Sequence, residues 1–166
     1  MIEDAARNAV IGQVVLILAG LAGGFLGFLV SLFGFGAYAL GMNGFAEVFG
    51  ENRIFRFVVF AVVTSLVAAV VLLAGSFRAG MVLFAVAYLF EILANYYLYR
   101  ASGVPPVIWG YVLILLGLPL LIVYIGALLI IAGRVMVIYG YYSIPEMYRI
   151  RRKARQHMQA SDSITP

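Results

Sequence analysis

The stretch RFVVFAVVTSLVAAVVLLAGSFR, residues 56–78, decides the fold, because it holds 21 uncharged residues between two arginines. At a helical rise of about 1.5 Å per residue, such a run spans about 30 Å, which is the thickness of the hydrocarbon core of a bilayer. The whole chain shares this character: 65% of its 166 residues are hydrophobic, 11% are charged, and the mean hydropathy is +1.08. We therefore predict an all-α, polytopic membrane protein.

Three further charge-poor stretches fill the chain and set the number of spans. The stretch 79–99 has the length of one span and contains one charge, Glu91. The stretches 8–46 and 101–145 are each about twice as long as a span, so both are expected to fold back within the membrane. The sequence thus predicts six transmembrane helices, arranged as three helical hairpins over residues 8–49, 54–102 and 105–147.

Turn signals lie near the middle of both long stretches. Residues 19–24 are rich in glycine, and Pro119 lacks a backbone donor and disfavours continued helix. The alternative is four spans, in which these residues only kink a long first helix and a long last helix. The positive-inside rule favours six spans with both termini cytoplasmic, since it places nine Lys and Arg residues inside and one outside, against seven and three for four spans.

This topology divides the chain into a single transmembrane domain, residues 1–148, and a basic cytoplasmic tail, residues 149–166, which is expected to be partly disordered. The acidic N-terminal residues do not resemble the basic start of a cleaved signal peptide, so the first span is expected to be retained. We expect the protein to be a multi-pass protein of the cell membrane.

Small residues recur at every seventh position in the second helix of each predicted hairpin. Seven residues advance almost two full turns, so each set forms one stripe down a helix. Such stripes let backbones approach closely, which matters because lipid gives helices no hydrophobic reason to associate. We therefore predict helix-packing faces in all three hairpins, formed in the first and last by Gly27, Gly34, Gly41, Gly126, Gly133 and Gly140.

Glu91 and Arg134 are the two charges that this topology buries. If their spans begin near Ala79 and Val123, they lie about 18 and 17 Å deep, so they are predicted to form an intramembrane polar pair. As structure, the pair neutralises both charges and fixes the register of two hairpins. As transport machinery, Glu91 would bind a proton or cation. The accompanying polar lining would then come from Gln13, Asn95, Thr64 and Ser65.

Two other sets of residues are assigned to the membrane surface. The tyrosines near residues 96–99 and 139–142 are interpreted as an interfacial aromatic belt, although a quinone or lipid pocket would use the same residue types. The basic residues after the last span are expected to bind anionic lipid headgroups or an acidic partner protein. They are Arg149, Arg151, Arg152, Lys153 and Arg155.

Three short motifs carry a resemblance to a known family. GMNGFAE at residues 41–47 and GENRIF at 50–55 resemble the short charged connection and start of the next span in a family of small archaeal and bacterial integral membrane proteins. YYSIPE at 141–146 resembles that family's aromatic-Ser-Ile-Pro ending. The family is catalogued as domain of unknown function 996, and the resemblance covers roughly residues 8 to 147. It implies a prokaryotic membrane protein and supplies no activity, cofactor or catalytic residue.

Composition also limits the function. The chain has no cysteine and one histidine, His157, in the basic tail, which argues against disulfides, iron–sulfur clusters, thiolate zinc sites and bis-His haem. Its few charges lie mostly at span ends, so neither a catalytic site nor a cofactor is expected, and a nucleic acid partner is not expected. The leading hypothesis is a non-catalytic integral membrane subunit or scaffold that packs laterally against other membrane subunits, like or unlike. The alternative is a small transporter or channel that uses Glu91 and Arg134.

Overall fold

The computed structural model describes residues 1–120 and 125–162, with the side chains of Arg155 and residues 157–162 left aside. Within this part of the chain the protein is all-helical, which confirms the predicted fold class. The helices are α1 (Ile2–Ala22), α2 (Gly24–Phe49), α3 (Asn52–Leu73), α4 (Phe77–Ser102), α5 (Pro105–Gly117) and α6 (Ile125–Asp162). Five of them are long and apolar enough to cross a membrane, whereas α5 has 13 residues up to Gly117.

Consecutive helices form three antiparallel hairpins, α1–α2, α3–α4 and α5–α6, whose members make the most extensive contacts in the structure. The first long stretch reverses at Gly23, which has a φ of 62° that favours glycine. In the last, α5 ends at Gly117, and Gly117 packs against Gly126 as the chain returns. The four-span alternative with unbroken first and last helices is therefore wrong.

Alternating helix directions gather most of the charge at one end of the bundle. This basic end contains the N-terminus, the α2–α3 turn at Gly50, the α4–α5 turn at Gly103 and the Tyr148 segment of α6. Direct contacts join these parts, since the Phe49 and Tyr148 rings lie 5.9 Å apart and Arg149 forms an ion pair with Glu3. The opposite end contains the turn at Gly23 and the α3–α4 turn.

The last helix differs from the sequence expectation. Of the tail 149–166, expected to be partly disordered, residues 149–162 continue α6 without a break, and residues 163–166 lie outside the described part of the structure. The helix passes through Pro145. Its 38 residues correspond to about 57 Å, nearly twice the ~30 Å of the hydrocarbon core. A bilayer accounts for roughly the first 20 residues of α6. The remaining residues, 145–162, form what we call the helical arm at the basic end.

Large buried side chains lie almost entirely in the half of the bundle next to the basic end. There Met42, Phe45, Leu98 and Ile144 form one continuous core from three hairpins. In the opposite half, the buried residues are mostly small ones, such as Ala19, that lie between the two helices of the same hairpin. The hairpins are therefore joined to one another mainly in the basic half.

Candidate functional site

A network of hydrogen-bonded side chains lies at the middle of the bundle and connects all three hairpins. We call it the polar core. Within the described residues, every helix except α3 contributes a side chain to it. Its members are Gln13 from α1, Tyr38 from α2, Glu91 and Asn95 from α4, Tyr111 from α5, and Arg134 and Tyr141 from α6.

The structure brings the two intramembrane charges together. Arg134 Nη1 lies 3.2 Å from Glu91 Oε1 and donates a second hydrogen bond of 2.7 Å to Gln13 Oε1. The same Glu91 oxygen also accepts from Gln13 Nε2 at 3.2 Å and from Tyr111 Oη at 2.7 Å. One carboxylate oxygen thus binds three donors from three different helices, which compensates the charge far better than a bare ion pair does.

A second layer of the polar core centres on Asn95 and lies nearer the basic end. The two hydrogens of Asn95 Nδ2 are shared among three acceptors, which are the hydroxyls of Tyr38 at 2.9 Å and Tyr111 at 3.0 Å and the backbone oxygen of Glu91 at 2.8 Å. Its Oδ1 accepts from Tyr141 Oη at 2.6 Å. Asn95 and Tyr141 are fully buried. This layer links α2, α4, α5 and α6 through direct hydrogen bonds between buried side chains.

Helical spacing explains why these residues meet. Glu91 and Asn95 are four residues apart on α4, and Arg134 and Tyr141 are seven apart on α6, so each pair lies on one helix face. Glu91 lies about 17 Å from the end of α4 at Ser102, which is near the middle of a ~30 Å hydrocarbon core. The polar core is therefore a mid-membrane feature.

The ion pair is not completely enclosed. The side chain of Glu91 is 17% exposed and that of Arg134 is 26% exposed, whereas Gln13 and Asn95 are 0% exposed. One turn away on α4, the buried hydroxyl of Tyr88 has no hydrogen-bond partner within the described residues. The pair is therefore only partly enclosed by the surrounding helices.

The predicted glycine stripes lie between the helices of single hairpins. A Cβ atom added at Gly34 would lie 2.9 Å from the Leu16 side chain, and one added at Gly41 would collide with the backbone of α1 at Ala9. Gly27 faces the Ala19 carbonyl in the same way. The glycine stripe of α2 therefore packs against α1, within the first hairpin.

The stripe of α6 is used against α5. A Cβ atom added at Gly133 would lie 2.5 Å from the Gly110 oxygen, and one added at Gly140 would lie 2.8 Å from the Val107 nitrogen. Gly126 faces Gly117. Since both stripes are covered by their own hairpins, they provide no surface for another subunit.

Two expectations about polar and aromatic residues are corrected. Thr64 and Ser65 lie on α3, which contributes no side chain to the polar core within the described residues. The belt interpretation fits Tyr139 and Tyr142, which are 60% and 76% exposed, but is wrong for Tyr141, which is fully buried. The seven-residue spacing from Arg134 to Tyr141 was the available signal. No comparable signal marked the roles of Tyr38 and Tyr111.

The predicted surface cations occupy different positions on the helical arm. Arg149 contacts Glu3 of α1, and the guanidinium of Arg151 lies against Gly103 at the end of α4. Arg152 and Lys153 are exposed. Arg155 lies within α6, but its side chain is outside the described part of the structure.

Metal binding has no obvious place in this arrangement. Within residues 1–120 and 125–162, no three His, Asp or Glu side chains converge as a metal site would require. The polar core itself offers a single carboxylate, which is already hydrogen-bonded to three donors. Its chemistry is that of a partly exposed ion pair whose two charges compensate each other.

No family model, curated protein or solved structure matches this chain. The resemblance to domain of unknown function 996 thus rests on the three short motifs alone. In the structure these motifs fall on the α2–α3 connection at Gly50 and on α6 around Pro145.

Proposed function

We propose that the protein is a non-catalytic subunit or scaffold of the cell membrane, with both termini in the cytoplasm, that packs laterally within a larger membrane assembly. The observation that carries this proposal is the use of the intramembrane charges inside the chain. Glu91, on α4, binds donors from α1, α5 and α6 through one oxygen. Its charge therefore helps to join the three hairpins to one another. A residue so held is suited to fixing a rigid bundle. The motif resemblance adds the proposal of a prokaryotic, archaeal or bacterial, source.

The helical arm supports an assembly role. A chain that only needed to cross the bilayer would have no use for the second half of α6, which adds more than 20 Å of helix beyond a ~30 Å core. The arm carries exposed basic residues near the N-terminus of α1. One of them, Arg149, forms an ion pair with Glu3. A rigid arm on a rigid bundle offers a contact surface for a neighbouring subunit at the membrane face.

Gentle extraction of the tagged chain from native membranes, followed by native mass spectrometry, tests this function. A subunit should be recovered with partner chains at a fixed stoichiometry, and truncation after Tyr148 should release them while the bundle stays folded. A matched control is the exposed apolar replacement Phe33→Ala on the opposite half of α2, which leaves the arm intact. A monomer in both preparations, with no stoichiometric partner, would contradict the proposal.

A second candidate, a small transporter or channel, is favoured by the remaining exposure of Glu91 and Arg134. A mid-membrane charge that water can reach can exchange a proton or bind an ion. Purified protein in liposomes separates the two functions, because a transporter should catalyse ion-dependent flux that Glu91→Gln abolishes without unfolding the chain. A scaffold should give no flux above empty liposomes in either form.

A further inference from the structure

A cavity of about 340 Å³ opens at the basic end where α2, α4 and α6 meet. Its size falls in the lower range of small-molecule pockets. One wall is apolar and comes from the ends of α2 and α4, and the other comes from the helical arm. The lining residues are Val48, Phe49, Ala101, Ser102, Tyr148, Arg151 and Arg152.

The two arginines give this cavity a single sign of charge, because no carboxylate is among its lining residues. The guanidinium of Arg151 is placed by its contact with Gly103, at the carbonyl end of α4, where a cation is favourable. Arg152 is the neighbouring residue on the same arm. Planar guanidinium groups bind phosphoryl oxygens through paired hydrogen bonds.

The second cavity at this end has a different charge balance. It measures about 690 Å³ and lies between α1 and α6, where the acids Glu3 and Glu146 offset the bases Arg7 and Arg149. Two of these four charges are already paired with each other. An anion would therefore gain more in the smaller cavity, where both charges are positive and no lining acid competes.

The depth of the smaller cavity identifies the source of the anion. Phe49 and Tyr148 pack edge to face at 5.9 Å, and aromatic residues of this kind mark the boundary between hydrocarbon and headgroups. Val48 and Ala101 extend the apolar wall toward the hydrocarbon. A ligand placed here would have its charged part on the arginines and an apolar part on the wall.

From this arrangement we propose that the cavity between α2, α4 and α6 is a specific site for the phosphoryl group of one anionic phospholipid. Arg151 and Arg152 bind the phosphoryl oxygens, and the glycerol end and first acyl carbons contact Val48, Phe49 and Ala101. Such a lipid would connect the helical arm to the first two hairpins. The site differs from diffuse attraction to the tail because it depends on these two arginines and on the shape of the wall.

Native mass spectrometry of the purified full chain, titrated with phosphatidylglycerol in a neutral detergent, tests the site. The variant Arg151→Gln/Arg152→Gln should weaken binding of the first lipid by about 30-fold or more, because each guanidinium loses its charge-assisted hydrogen bonds to the phosphoryl oxygens. The matched control Arg7→Gln/Lys153→Gln removes the same charge from exposed positions outside the cavity lining, keeps the Arg149–Glu3 pair, and should weaken binding less than about 3-fold. Equal losses in the two variants would overturn the proposal in favour of diffuse attraction.

Two further measurements keep the result interpretable. Val48→Trp fills the cavity without changing the charge and should also reduce phosphatidylglycerol binding, so binding that is unchanged in this variant counts against the site. Phosphatidylcholine, whose headgroup is neutral overall, should bind at least 10-fold more weakly to the unaltered chain. Glycerol phosphate should not displace the lipid at equal concentration, and displacement by this soluble anion would refute a lipid as the ligand.

Discussion

The polar core makes a quantitative prediction for Glu91 and Arg134, because removing one charge should harm the protein more than removing both. Glu91→Gln leaves the guanidinium of Arg134 at mid-membrane depth with its 2.7 Å bond to Gln13 and no counter-charge. Removing one partner of a buried pair costs about 3 to 5 kcal/mol. We expect about 3 kcal/mol, at the lower end, because Arg134 is 26% exposed and retains some contact with solvent or detergent.

The two single replacements should differ in severity. Arg134→Met leaves Glu91 with two hydrogen-bond donors, Gln13 and Tyr111, whereas Glu91→Gln leaves Arg134 with no opposite charge beside it. An arginine keeps its charge at any accessible pH. We therefore expect Glu91→Gln to destabilise the bundle more than Arg134→Met, and the double variant to recover about 1 to 3 kcal/mol of the summed losses.

Reversible unfolding in mixed micelles measures these free energies, and the single tryptophan, Trp109 on α5, supplies the fluorescence signal. The exposed pair Asp4 and Arg7, whose charged atoms lie 3.1 Å apart, provides a matched control for which the corresponding replacements should change stability little. Strict additivity of the two single losses in the polar core would refute the reasoning. So would single replacements as mild as those of the control pair.

Three other predictions concern packing, the Asn95 layer and topology. Gly133→Leu should destabilise the α5–α6 hairpin by more than about 3 kcal/mol, because its Cβ would lie 2.5 Å from a backbone oxygen of α5. In the same unfolding assay, the control Leu128→Ala, at an exposed position, should cost less than about 1 kcal/mol. Asn95→Leu removes the bond from Tyr141 and the two that the Asn95 amide nitrogen can donate at once, so it should cost about 2 kcal/mol or more at roughly 0.6 kcal/mol or more per bond. A loss under about 0.5 kcal/mol would mean that the layer is not structural. In cells, an impermeant thiol reagent should label a cysteine introduced at Ser76 and not one introduced at Lys153; external labelling at Lys153 would reverse the proposed orientation.

The sequence by itself determined the class of protein and the path of the chain. Uncharged runs such as residues 57–77 have the length and composition of a membrane helix. The hydrophobic content of the whole chain, 65%, is also well above that of typical soluble domains. The helix ends at Gly23 and near Gly117 follow from local backbone preferences, because glycine and proline disfavour continued helix. Charge also made Glu91 and Arg134 visible, because a charge inside an apolar run is costly unless it is paired.

Only the tertiary structure decided which surfaces these helices use and which neutral residues join the charged pair. A seven-residue glycine stripe has the same sequence whether it faces a hairpin partner or another subunit, and the contact of Gly133 with Gly110 was needed to assign it. Likewise, the residue type alone does not distinguish a tyrosine at the membrane interface from a tyrosine in a buried network. Tyr141 is buried while its neighbour Tyr142 is 76% exposed, because rotation by one residue on a helix turns a side chain by about 100° from the core toward lipid.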